Sequence, residues 1–250
     1  MSQNQSSLPE TPLLVVNGLR AWYGAAQALF DVSLNVQQGE VVALMGRNGA
    51  GKSTTMKTIM AMMGRSAGKV SFMGQDISVA PTHTIAASGL GFVPEDRRIF
   101  TALTVTENLL VGQQAPRFWP DGTPAPFWQP QQLFELFPNL KEMQHRLGSQ
   151  MSGGEQQMLT VARSLMGNPY LLLLDEPSEG VAPLIVEQMA HMILELKAKG
   201  VSILLSEQNL HFADLVCDRA YVLEKGVIQY EGTMAQLNAN ESVRRAYLSV

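Results

Sequence analysis

Nine consecutive residues, Gly46-Arg47-Asn48-Gly49-Ala50-Gly51-Lys52-Ser53-Thr54, combine a permissive backbone with cationic and hydroxyl side chains. Glycines let backbone N–H groups close around an anion, a lysine can reach a terminal phosphate, and a serine hydroxyl can ligand a divalent cation. The spacing Gly-x-x-x-x-Gly-Lys-Ser is that of a phosphate-binding loop, provided a strand runs in and a helix runs out. Val41-Val42-Ala43-Leu44-Met45 is the apolar run of a strand buried on both faces. Met56, Ile59, Met60 and Met63 recur at helical spacing and predict a helix from near Ser53 up to Gly64. On this reading Lys52 reaches β- and γ-phosphates and Ser53 coordinates Mg²⁺; the alternative is a glycine-rich turn before an ordinary helix, with Lys52 solvated.

Two further stretches carry chemistry. Ser152-Gly153-Gly154-Glu155 opens a helix whose stripe is Met158, Val161, Ala162 and Leu165, and Ser152 with Glu155 forms a capping box. Paired glycines weaken a helix start, so something must approach that backbone closely; a bare helix N-terminus is a second anion site, or simply a cap. Leu171 to Leu174 reads as a buried strand ending in Asp175-Glu176-Pro177. Acids at the C-terminal end of such a strand lie on the ligand side of an open α/β sheet. Asp175 is then placed to hold Mg²⁺ and Glu176 to polarise an attacking water. Ser206-Glu207-Gln208-Asn209 follows the strand Val201 to Leu205 and falls on the same side.

The elements needed to position these groups are legible. Leu13 to Leu19 reads as a strand, and Val32, Leu34 and Val36 alternate with polar residues, as in antiparallel strands with one wet face. Tyr23 ends a strand of this layer, either exposed and able to stack on a flat base or half-buried in the sheet. Lys69 to Met73 reads as a short strand, and Thr104 with Glu107 caps a helix running through Leu110. Ala115 to Pro130 holds five prolines and the pairs Phe118-Trp119 and Phe127-Trp128, which predicts an irregular surface loop. It either folds back its own aromatics or presents them to a partner. Pro183 to Lys199 is a helix, Tyr221-Val222-Leu223 and Val227 to Tyr230 form a hairpin, and a terminal helix follows.

Bulk properties narrow the class. The chain has 250 residues, 46% hydrophobic and 16% charged, which suits one large α/β domain with an attached subdomain. A net charge of -4 supplies no overall basic field, so nucleic acid is not an expected partner. The single Cys217 forms no internal disulfide, and His83, His145, His191 and His211 lack metal-ligand spacing. No stretch is long and apolar enough to span a bilayer, and Met1 to Pro12 is too polar for a secretory signal, so a membrane role is expected through a partner. No Asn-Lys-x-Asp stretch is present to read guanine.

Phosphate loop, Ser-Gly-Gly-Glu-Gln and a strand ending Asp-Glu-Pro, in that order, resemble the ATPase subunit of ABC transporters from about Leu13 onward. The resemblance implies an α/β P-loop NTPase core with a mostly parallel sheet, an N-terminal antiparallel β subdomain and an inserted helical subdomain at about 96–165, after a flexible tail at 1–12. It implies ATP held at Gly46 to Thr54 with Tyr23 on the adenine, and Mg²⁺ held by Ser53, Asp175 and Glu95. It further implies catalysis by Glu176 with Gln208 at the switch position, and Ser152, Gly153, Gly154 and Glu155 touching ATP on the opposite subunit. Most members carry Gln at the positions of Glu95 and Glu155, and His at that of Gln208. Gln208 can donate a hydrogen bond to a γ-phosphate but has no titratable proton.

Val93 to Phe100, Met151 to Leu159, Asp175 to Gly180 and Glu207-Gln208-Asn209 look most like the branched-chain or hydrophobic amino-acid importer ATPases, specifically the partner with glutamine at the switch. That likeness implies a second ATPase subunit, like or unlike, two membrane permease subunits and, indirectly, a soluble substrate-binding protein. It places the chain on the cytoplasmic face of the cell membrane. Urea or amide importer ATPases and soluble ABC ATPases without transport are the alternatives.

Overall fold

The computed structural model describes residues 12–248, so most of the tail expected at 1–12 lies outside the described residues. Two sheets and a layer of helices make up the fold. Strands β1 (Leu14–Tyr23) and β2 (Ala26–Val36) form an antiparallel pair. Val32, Leu34 and Val36 all turn inward, as their alternation predicts. After β3 (Val41–Met45) comes α1 (Lys52–Ile59), then β4 (Arg65–Phe72) and β5 (Gln75–Asp76). The first sheet has the order β2-β1-β4-β5.

Helix α1 is shorter than its apolar stripe. Ala61 takes the left-handed conformation (φ 53°), which ends the helix before Met63, and Met63 packs on the core from the following turn. The strand expected at Lys69 to Met73 starts earlier, at Arg65, and Met73 sits in the turn after it (φ 52°).

Helix α2 (Thr82–Ala87) leads to β6 (Leu90–Val93), and α3 (Val105–Val111) starts at the expected box, with Thr104 and Glu107 capping each other. Helices α4 (Pro130–Leu136) and α5 (Pro138–Glu142) and a single 3₁₀ turn at Gly148–Gln150 precede α6 (Gly153–Leu165). The chain then runs through β7 (Leu171–Asp175), α7 (Pro183–Ala198), β8 (Ser202–Glu207) and α8 (Leu210–Val216). The hairpin β9 (Arg219–Glu224) and β10 (Val227–Thr233) and the helices α9 (Met234–Ala239) and α10 (Glu241–Tyr247) close it.

The second sheet has the order β10-β9-β3-β8-β7-β6, parallel throughout except for the β9–β10 hairpin at its edge. Its central strands divide their side chains between two cores. Val41, Ala43 and Met45 face a core shared with α6 and α7, whereas Val42 and Leu44 face one shared with α1 and the antiparallel sheet. Leu172 and Leu174 of β7 join the first, Leu171 and Leu173 the second. This is why these strands read as unbroken apolar runs. The register sets Met45 against Glu207 and Asp175 against Ser206, so β3, β7 and β8 end together.

The loop Ala115 to Pro130 mostly folds back on its own body. Trp128 and Ala125 are buried, Trp119 tilts against Tyr170 with centroids 4.7 Å apart, and Phe118 alone of the four aromatics is well exposed, at 59%. Asn168 fastens it: its amide donates to the carbonyls of Gln114 and Ala115, and its Oδ1 accepts from the Trp128 N–H.

Candidate functional site

The loop after β3 closes over the ends of β3, β7 and β8. Gly51 stands at the start of α1 with φ 112°, a conformation that L side chains rarely adopt, and it leaves the helix without a side-chain cap. The first N–H groups of α1 are therefore free for an anion. Lys52 is buried; its Nζ donates to the carbonyls of Gly46 (2.7 Å) and Arg47 (3.1 Å) and pairs with Glu176 at 2.9 Å. Arg47, Asn48 and Gly49 are exposed at the rim, while Ala50 and Thr54 are buried. A cleft of about 500 Å³ runs along this loop, lined by Tyr23, Gly49, Lys52, Ser53, Thr54 and Glu176 among others.

Tyr23 is 55% exposed, with its hydroxyl 3.2 Å from Thr54 Oγ1, so of the two expectations for it the exposed one holds and its ring is free at the cleft. Phe30, Gln27 and Lys225 line the same cleft and were not singled out by sequence. The signal available for Phe30 was a large apolar residue on the polar phase of β2.

Asp175 and Ser53 meet. The Ser53 hydroxyl donates to Asp175 Oδ1 at 2.9 Å, and the Ser206 hydroxyl donates to the same oxygen at 2.7 Å. Asp175 Oδ2 is buried without a partner. An orphaned carboxylate oxygen beside a serine hydroxyl is the donor set of a hard divalent cation, so these two residues fit Mg²⁺. Burial pushes the Asp175 carboxyl above its ordinary range, against the hydrogen bonds from Ser206 and Ser53. Glu95, the third expected ligand, is exposed and makes no hydrogen bond to Ser53 or Asp175 among the described residues. Its charge acts instead on Glu179.

Glu176 has a left-handed backbone (φ 46°), unusual for a side chain of its size. Ser206 holds it there: the Glu176 N–H donates to both the carbonyl (3.1 Å) and the hydroxyl (3.0 Å) of Ser206. Burial pushes the Glu176 carboxyl up, but hydrogen bonds from Glu179 and Lys52 and the lysine charge outweigh it and hold it below the usual range. Glu179 is correspondingly pushed up to about 7, chiefly by its hydrogen bond to Glu176 and then by burial. Ser206 was noticed in sequence only as part of a strand end; a hydroxyl closing an apolar run was the signal for its role.

Gln208 is exposed and lies outside the cleft, its side-chain amide donating to Glu179 Oε2 at 3.1 Å. Ser152 is exposed at the tip of α6, its hydroxyl accepting from the Glu155 N–H while Glu155 Oε2 accepts from the Ser152 N–H. The adjacent glycines have a local reason. A Cβ on Gly153 would lie 2.6 Å from the Arg97 guanidinium, and one on Gly154 2.9 Å from Ile185. None of residues 152–155 lines the cleft at the phosphate-binding loop. No group of three or more His, Cys, Asp or Glu able to hold a metal occurs among the described residues.

Strand, glycine loop, lysine-led helix and an acid pair at the end of β7, one strand beyond the adjacent β8, define the class of the P-loop ATPases. The ABC transporter family model matches residues 29–179. The high-affinity branched-chain amino acid transport ATP-binding protein BraG of Pseudomonas aeruginosa is 44% identical over 236 residues, covering 94% of this chain and 99% of that protein. The lipopolysaccharide export system ATP-binding protein LptB of Haemophilus influenzae is 36% identical over 237 residues, covering 94% and 97%. Among solved structures, the ADP conformation of MJ1267, an ATP-binding cassette of an ABC transporter, superposes with a TM-score of 0.77 at 27% identity, covering 94% of this chain and 98% of that one. The chain belongs to the ABC transporter family as an ATP-hydrolysing cassette. No helix among the described residues is long and apolar enough to cross a membrane.

Proposed function

We propose that this cassette energises import of branched-chain or other hydrophobic amino acids through a membrane permease. The observation that carries the proposal is the 44% identity to BraG along 99% of that protein. A second reading is favoured by the LptB relatives: at 36% identity over nearly the same span, coupling to lipid export is the rival cargo. Disruption of the gene separates the two. Loss of labelled leucine, isoleucine and valine uptake with normal surface lipopolysaccharide supports import; normal uptake with a lipopolysaccharide defect overturns it.

Within this reading residues 13–250 form one nucleotide-binding domain with a helical subdomain at about 96–165. Tyr23 offers its exposed ring to the adenine, and Gly46 to Thr54 hold the phosphates, with Lys52 leaving the Glu176 carboxylate to meet them. Ser53 and Asp175 would hold Mg²⁺, which when bound would neutralise charge developing on the phosphates, and Glu95 would add a carboxylate from the loop after β6. Glu176, freed from Lys52, accepts a proton from the attacking water, and Gln208 turns from Glu179 to donate to the γ-phosphate. The exposed Ser152, with Gly153, Gly154 and Glu155, closes on ATP held by a second ATPase subunit. Binding energy at that interface becomes subunit motion, which two permease subunits convert to alternating access. A soluble binding protein delivers the substrate, and the chain sits peripherally on the cytoplasmic membrane face.

A further inference from the structure

Glu207, the last residue of β8, is 1% exposed and lies outside the cleft that holds Lys52 and Glu176. A carboxylate that deep is costly unless several donors converge on it. Here three do, and they come from two loops. Oε2 accepts from the N–H groups of Gln208 and Asn209 at 3.1 Å each, within its own turn. Oε1 accepts from the Ser178 N–H at 3.2 Å, across to the loop that follows Asp175 and Glu176. Stabilising the local turn alone needs only one oxygen. The other is committed to a bond between residues 29 positions apart in sequence. A second link runs parallel to it, from the Gln208 side-chain amide to Glu179.

We infer that Glu207 is a positioning residue for ATP hydrolysis: its carboxylate brackets the loop carrying Glu176 to the loop carrying Gln208, so that the two groups approach the γ-phosphate as one unit. Glu207 lies outside the phosphate cleft and acts through the backbone N–H groups on either side of it. The inference rests on the assignment of Glu176 and Gln208 to the reaction. It also says why a buried acid stands here: three N–H donors need both oxygens, and an amide can satisfy only one side.

Glu207→Gln keeps the volume and cuts the bracket, because its single carbonyl can serve the Gln208 and Asn209 turn or Ser178 but not both. Steady-state ATP hydrolysis should show KM for ATP within about twofold of wild type and kcat lower by roughly tenfold or more, since small displacements at a reacting centre are expensive in rate. A kcat within about twofold of wild type, or an effect confined to KM, overturns the bracket. Amide hydrogen exchange on the wild-type protein tests it without any variant. The Ser178 amide should be protected although it sits in a surface loop, and exchange at an unprotected rate overturns the inference. Glu176→Gln assayed in parallel separates the two possible failures. An inactive Glu176→Gln beside an unimpaired Glu207→Gln sinks the bracket alone, whereas an active Glu176→Gln sinks the assignment beneath it and the bracket with it.

Discussion

Helix α1 begins at Gly51 with no side-chain cap and no acid in its first turn, whereas α6 begins at Ser152 with a complete capping box and Glu155 in its first turn. Both ends carry the partial positive charge of aligned peptide dipoles. At α1 no side chain caps the helix, and the buried lysine beside that end is held by Glu176 until a phosphate can take the carboxylate's place. At α6 the Ser152 hydroxyl takes up one N–H, and the Glu155 carboxylate offsets part of the field. The first end can hold a phosphate alone. The second is exposed at Ser152, has the Ser152 and Glu155 N–H groups engaged within its own capping box, and is suited to meeting an anion already held elsewhere, which is the role the proposed pairing of subunits gives it.

The harshest way to probe the α1 end is Glu176→Gln. It removes the carboxylate that pairs with Lys52 and the proposed proton acceptor together. ATP should still bind and turnover should fall by roughly 10²–10⁴-fold, the usual worth of a general base. Nucleotide binding measured beside phosphate release checks this; wild-type turnover would move the base elsewhere.

A smaller effect is expected at the other end. Glu155→Gln keeps an acceptor for the Ser152 N–H while deleting a negative charge from the first turn of α6. That change should strengthen ATP-driven association a few-fold at low salt, in line with about 0.3–1 kcal/mol for a charge at a helix terminus, and the gain should shrink as salt is added. Weaker association would show that the carboxylate itself contributes to the interface.

The smallest effect is a pH dependence. Glu179, with its ordinary value of 4.5, is pushed up to about 7 by Glu176 in the folded protein. Between those two values the folded state binds more proton than the unfolded one, so its contribution is present in full below pH 4.5 and is lost as pH rises through about 7. Thermal melts of the nucleotide-free protein should therefore decline slightly from pH 5 to pH 8, and Glu179→Gln should flatten that slope. A variant with an unchanged slope contradicts the coupling of Glu179 to Glu176.

The same contrast between the two helix ends marks what could be read from sequence. Residues 41–59 were legible because chemistry and periodicity agree locally: an apolar strand, a glycine loop and a helical stripe need no distant partner. The capping boxes of α3 and α6 were legible for the same reason. The reason for Gly153 and Gly154 was legible only as a question, since Arg97 and Ile185 arrive from other parts of the chain. Ser206, Glu207 and Glu179 escaped assignment because their partners lie about thirty residues away and are defined by the β7–β8 register. Short α2 buries only Ile85 and so sets no period, and the early end of α1 hangs on one left-handed alanine.

The proposed pairing of subunits means that one polypeptide holds only half of the reaction centre, in keeping with Ser152 being exposed on α6 and outside its own phosphate cleft. Specific ATPase activity followed across a dilution series, with sedimentation of the same samples, tests it most directly. Activity per molecule should climb with concentration and vanish where only monomer sediments; undiminished turnover by the monomer would contradict the account.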